Sequence, residues 1–201
     1  MTEVGPLCKS RLMPSEPLLR PSLWRTCRVL ANRKRLQIFK RVLHEPGQNV
    51  SELARQLSLP LAVASQYLRA LESRGLLKAQ RRGRRVRYQV ANGVAGTAVA
   101  PLLRALRRTF QRDAKAIQSV FHLVTAFTHP RRIELYQTLT GRSQTVKQLQ
   151  ANRRMSARAV ARHLKKLEGR SLVVFRLGSY AVKRPRREIR RALASMALRR
   201  S

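Results

Sequence analysis

The side chains best suited to recognition chemistry lie between Ala62 and Arg87. Ala62, Ser65, Gln66 and Arg69 fall at helical spacing on one face, opposite an apolar stripe of Val63 or Ala64, Leu68 and Leu71. A glutamine amide can pair bidentately with adenine and an arginine with guanine, each giving roughly 1–3 kcal/mol of discrimination, and a small group such as Ala62 suits a thymine methyl. Downstream, Arg81, Arg82, Arg84, Arg85 and Arg87 surround Gly83. Guanidinium groups on a slender ribbon match the deepened negative potential of a narrow minor groove. The plainer alternatives are a solvated helix face and a solvated charge run.

Charge decides which partner to consider first. Lys and Arg number 44 against 9 acids, a formal +35. Self-repulsion of that size disfavours a compact chain in isolation and favours a polyanion as companion. The acids are scattered, which weakens any case for a carboxylate pair or an oxygen-ligated metal. Cys8 and Cys27 read as ordinary reduced thiols. His163 and the dispersed His44, His122 and His129 show no second His or Cys at ligand spacing, so packing or phosphate contact is the reading and metal is not. No apolar run is long enough to span a bilayer and no signal-peptide pattern opens the chain, so an intracellular, cytoplasmic, nucleoid-associated protein is expected. Phosphate-binding glycine loops, nucleophile elbows and zinc-hydrolase motifs are missing, so no enzyme and no cofactor are expected.

These residues need elements to position them. Residues 1–21, with four prolines, read as a flexible basic tail. A helix opens after Ser22, Asn32 interrupts it, and Leu36, Phe39, Val42 and Leu43 line the next; Glu45–Asn49 is a loop. Ser51 is the expected N-cap for a short helix bearing Leu53, Ala54 and Leu57. The recognition helix spans Pro60–Arg74, and Gly75 is placed to take positive φ at its end. The period then falls to two, Leu77 and Ala79 before Gly83 and Val86, Tyr88 and Val90 after it, which is a β-hairpin. Helix, turn, helix and basic hairpin make a winged helix-turn-helix pattern.

The stretches Ala31–Ile38, Glu52–Ala54 and Ser65–Glu72 resemble the ArsR-type repressors of bacteria and archaea. The resemblance implies that the Pro60–Arg74 helix enters the major groove and that the hairpin touches flanking backbone or minor groove. It also implies a homodimer built through the helices flanking the winged core. The family's paired metal-sensing cysteines have no counterpart in Val50–Leu57. The resemblance therefore carries double-stranded DNA binding and not metal response.

The chain then repeats itself. Thr128–Tyr136 aligns with Ala31–Phe39, Val146 and Leu149 with Val50 and Leu53, and Val160, Leu164, Leu167 and Glu168 with Ala64, Leu68, Leu71 and Glu72. Ser156 is the expected N-cap, and Arg158, Arg162 and Lys165 are the face that either reads guanines or anchors phosphates. A shorter hairpin turns at Gly178. Between the copies runs a helical connector, which Gln111–Asp113 either interrupts or does not. After Pro185 a helix carries Ile189, Leu193 and Met196, placed on the second copy, at a dimer contact or as a phosphate-facing arm.

The expectation is a mainly α fold with small β-hairpin wings: two tandem winged helix-turn-helix domains joined by a long helical connector. The bounds are 1–21 tail, 22–96 first domain, 97–125 connector and 126–201 second domain with its basic helix. The expected function is a sequence-specific, repressor-like DNA-binding transcriptional regulator, either a pseudo-dimer within one chain or a homodimer. A sequence-indifferent architectural protein and a plasmid-type replication initiator are the alternatives; RNA binding is weaker, since aromatics for base stacking are not evident. If 6–10 phosphates are contacted, affinity for duplex DNA should fall by roughly 10³–10⁵ between 50 and 200 mM salt. A salt titration by fluorescence anisotropy measures this, and a flat response contradicts the charge argument.

Overall fold

A computed structural model describes residues 22–83, 85–93, 99–153 and 155–198, with the side chain of Arg82 outside that description. The expected tail at 1–21, with Cys8, and Arg84 lie outside the described residues. The first helices are α1 (Leu23–Leu30), α2 (Arg33–His44), α3 (Val50–Gln56) and α4 (Leu61–Glu72). A hairpin of β1 (Leu77–Arg82) and β2 (Arg85–Val90) follows. Next come α5 (Ala100–Arg112), α6 (Ala116–Val124), a 3-10 turn at Thr125–Phe127, α7 (Pro130–Gly141), α8 (Val146–Arg153) and α9 (Ala157–Glu168). A second hairpin, β3 (Val173–Arg176) and β4 (Ser179–Val182), precedes α10 (Glu188–Leu198).

Local chemistry explains these boundaries. The Asn32 side chain accepts from the Arg35 amide at 3.0 Å and starts α2. The cap of α3 is Asn49, not Ser51. Asn49 Oδ1 accepts from the Glu52 amide at 2.9 Å while Glu52 Oε2 accepts from the Asn49 amide at 2.8 Å, a reciprocal capping box. Ser51 is exposed inside the first turn, because Val50 already has helical geometry. Ser58, at φ 49°, makes the turn between α3 and α4. Pro60 begins α4 without a side-chain cap, its φ of −57° being compatible with helix entry.

Each hairpin is joined to the loop ahead of a preceding helix. In the first, Tyr88 donates to the Gln48 carbonyl at 3.0 Å, and Gly47 donates to the Tyr88 carbonyl at 2.9 Å. In the second, Gln144 and Tyr180 exchange amide bonds of 2.9 and 2.8 Å. The approaches to the hairpins also correspond: Leu76 donates to Leu71 at 3.0 Å, and Leu172 donates to Leu167 at 3.1 Å. Gly75 at φ 65° and Ser171 at φ 54° take the left-handed conformation that ends α4 and α9.

The connector is two helices. Asp113 leaves helical geometry, and its carboxylate accepts from the Lys115 amide and the Ser119 hydroxyl, each at 2.8 Å, which restarts the chain as α6. The buried face of α6 is consequently Ala116, Val120, Leu123 and Val124, with Ile117 and Phe121 only half-buried. One apolar cluster runs through the described residues. Within it α1 lies against α6 and the 3-10 turn, α5 against α10, α1 against α10 and α5 against α6. Ile189, Leu193 and Met196 of α10 are buried, chiefly against α5, with α7 as a further neighbour.

Removing the α3 cap should be felt while changing its neighbour should not. Asn49→Ala is expected to lower stability by about 0.5–2 kcal/mol, and Ser51→Ala to stay within about 0.5 kcal/mol of the parent. Urea midpoints of the two variants measure the difference.

Candidate nucleic-acid interface

α4 turns Ala64, Leu68 and Leu71 into the core, leaving Ala62, Gln66 and Arg69 exposed and Ser65 half-buried. Leu61, 56% exposed in the first turn, extends that face with an apolar group which the helical periodicity assigned to neither side. The helix is tied to its hairpin by Glu72, whose carboxylate accepts from the Ala79 amide at 3.2 Å. On the hairpin, Tyr88 and Val90 are buried, while Arg81, Arg85 and Arg87 are exposed. Arg87 donates to the Gly47 carbonyl at 2.9 Å, which fixes its side chain and leaves its charge uncompensated. Arg35 lies over the Tyr67 ring at 5.2 Å and donates to the Val29 carbonyl at 3.2 Å, bracing the back of α4 against the end of α1.

The corresponding face of α9 has a different character. Arg158, Arg162 and Lys165 are exposed, and Ser156 is committed to capping, accepting from the Ala159 amide at 3.3 Å. Among the described residues the ion pairs are Arg41–Glu45, Arg108–Glu188 and Arg131–Glu134; none draws on α4, α9 or either hairpin. Among the described residues, the exposed cations of both helix–hairpin pairs therefore have no carboxylate partner to leave before meeting an external anion. At the end of α9 the charge of Arg170, aided by partial burial, holds the Lys166 ammonium below the usual lysine range.

Histidine placement was not readable from spacing. His163, the seventh residue of α9, is buried, and the ring of His129, the cap of α7, lies 4.8 Å from it between centroids. Burial, with His129, Arg132 and Arg162 nearby, lowers His163 to about 4 from the ordinary 6.5. Arginines around this pair make it a poor host for a cation. Among the described residues no group of three His, Cys, Asp or Glu side chains is close enough to hold a metal ion. Cys27 is fully buried in α1, and burial pushes its thiol far above the usual range, so it packs as a small apolar group.

With this geometry fixed, the pairing of α3 and α4 across the Ser58 turn has a parallel among known proteins. Residues 30–79 match the model of a helix-turn-helix domain. The match covers α2, α3, α4 and the opening of β1. An uncharacterised HTH-type transcriptional regulator of Methanocaldococcus jannaschii is 34% identical over 65 residues, which is 32% of this chain and 17% of that protein. The chain thus spans about a sixth of the length of that relative. In the helix-turn-helix domain the exposed face of α4 is the one carrying Ala62, Gln66 and Arg69.

The buried histidine sets an acid limit on the second half. His163 is neutral in the folded chain and protonates near 6.5 when unfolded, so unfolding takes up a proton between those values and stability falls as pH drops from about 6.5 to about 4. Tyr67 occupies the seventh position of α4, and His163→Phe places an aromatic ring without an ionisable group at the seventh position of α9. This variant should remove roughly 1–3 kcal/mol of the pH dependence across that window, read from urea midpoints at pH 4.5 and 7.5.

Proposed function

We propose that this chain is a sequence-specific, double-stranded DNA-binding transcriptional regulator of repressor-like type. The α4 helix would enter the major groove, and the β1–β2 hairpin would act as a wing on flanking backbone or minor groove. The observation that carries the reading is the exposed face of α4 within a helix-turn-helix domain: an amide, Gln66, and a guanidinium, Arg69, without an ion pair among the described residues and beside an arginine-rich hairpin. Ala62, Ser65 and Leu61 complete that face. Arg81, Arg82, Arg84, Arg85 and Arg87 would supply the wing contacts.

The second helix–helix–helix–hairpin succession supports two winged units in tandem, about 22–96 and 126–201, with the connector at 97–125. Paired amide bonds at Gln48–Tyr88 and Gln144–Tyr180 favour that view. So do the matched left-handed residues after α4 and α9. With α5 counted as the last helix of the first unit and α6 as the first helix of the second, the contacts of α1 with α6 and of α5 with α10 join corresponding helices, an arrangement compatible with a twofold dimer interface. One chain then stands in for a dimer and offers two recognition helices about one DNA turn apart, ~34–36 Å. In the second unit Arg158, Arg162 and Lys165, with Ser156, would grip phosphates more than they read bases. The cellular setting that goes with this role is the cytoplasm, at the nucleoid. Among the described residues no helix is long and apolar enough to cross a membrane.

A sequence-indifferent architectural role is the second reading, and the formal charge of +35 favours it. In-vitro site selection at physiological salt separates the two. A regulator prefers its best site over random duplex by ~10³ or more, and an architectural protein shows no such ratio. On the selected site, Gln66→Ala and Arg69→Ala should each cost roughly 1–3 kcal/mol and relax preference at one position. Arg162→Ala should weaken selected and random duplexes alike. Equal losses on both duplexes for all three variants would favour the architectural role.

A further inference from the structure

Leu177 is fully exposed, at 103% of its reference accessibility. It sits at the tip of the second hairpin, where Arg176 pairs with Ser179 and only Leu177 and Gly178 make the turn. Their φ angles are 47° and 74°. Two successive positive values describe a type I′ turn, whose preferred residues are Asn, Asp and Gly. A leucine here is unfavourable on two counts. Its side chain is crowded by the backbone in the left-handed region, and its whole apolar surface faces water. No contact among the described residues offsets either cost.

The tip is also rigid. The Phe175 ring, 49% exposed, packs on Tyr180 at 4.8 Å between centroids. Tyr180 is held in turn by its two amide bonds to Gln144. Arg176 is exposed beside this tip, while exposed Lys183, Arg184 and Arg186 follow the base of the hairpin, where Val182 pairs with Val173; none of them joins an ion pair among the described residues. The other hairpin has no apolar side chain at its tip, which is Gly83 between arginines.

Size and charge together select the partner. One leucine and half a phenylalanine expose far less than the ~1,200–2,000 Å² that a stable protein–protein interface buries. Arg176 at the tip and the cations past the base of the same hairpin draw a polyanion along its length. In duplex DNA the apolar receptor of matching size is the gap between stacked bases, which a single apolar side chain can open from the minor groove, kinking the duplex by ~20–90°. We infer that Leu177 is a minor-groove wedge: the second hairpin inserts it at a base step beside the contact of α9 and bends the DNA there. Pyrimidine–purine steps are the most easily unstacked and are the expected position. The inference rests on the reading that both helix–hairpin units face one duplex.

The test uses the full chain on a selected duplex labelled at both ends for energy transfer, with 2-aminopurine placed at the flanking steps. The parent should bend the duplex by several tens of degrees and brighten 2-aminopurine at one step. Leu177→Asn suits the turn better, so its urea midpoint should rise, which separates any loss of bending from misfolding. That variant should bind the site within about tenfold of the parent while the bend and the brightening disappear. Tight, site-specific binding to a straight duplex, or an undiminished bend with Leu177→Asn, overturns the wedge and leaves the regulator reading standing. No preference of the parent for any selected duplex over random DNA overturns the regulator reading, and the wedge with it.

Discussion

Mutual repulsion among 44 lysines and arginines, relieved by only 9 carboxylates, acts against every compact arrangement of this chain, and one continuous apolar cluster opposes it. The way the inner arginines are accommodated keeps the charge intact. Arg35, Arg107, Arg132 and Arg190 donate to backbone carbonyls. At the surface, exposed Arg25 and Arg28 lie near the Trp24 ring, and exposed Arg33 over Phe121. Carbonyls and rings satisfy guanidinium geometry without neutralising it. The folded chain therefore keeps nearly all of its positive field for whatever lies outside. A polyanion that relieves this field binds the folded state preferentially and so stabilises it.

The two halves distribute that field differently. α4 offers an amide, a hydroxyl, small groups and one guanidinium; α9 offers three cations in the corresponding places. Varied donors and acceptors distinguish base edges, whereas uniform cations recognise the backbone common to all sequences. Under the proposed reading of two tandem units, one polypeptide is not obliged to keep them identical, as a homodimer is. The contrast between an arginine tip on one hairpin and a leucine tip on the other is of the same kind.

What was legible in the sequence follows the range of the interaction involved. The apolar stripe of α4, the alternation in β1 and β2, the left-handed Gly75 and the Ser156 cap are all local, and the structure has them where periodicity and residue type put them. Asn49 and Ser51 are equally good caps by type; the reach of Glu52 back to Asn49 decides between them, and that pair is itself visible as Asn-x-x-Glu. The break at Asp113 was open because the apolar rhythm continues across it, and only the bonds of its carboxylate to Lys115 and Ser119 end one helix and start another. The stripe on α10 identified the face to be buried but not that α5 is its chief neighbour. The meeting of His129 and His163 depends on the packing of α7 against α9, which no local pattern encodes.

The amide bonds of Tyr88 with Gly47 and Gln48, and the exchange between Gln144 and Tyr180, have a mechanical consequence. A two-stranded ribbon alone is marginally stable in water and yields easily. With a single backbone bridge from the preceding loop clasped to its flank, each hairpin is anchored just ahead of α3 or α8. A load applied at either tip is carried into that anchorage and onward to the helix behind it. Hairpin and helices would therefore tilt together as one stiff lever, and any give must come from the helices at the centre.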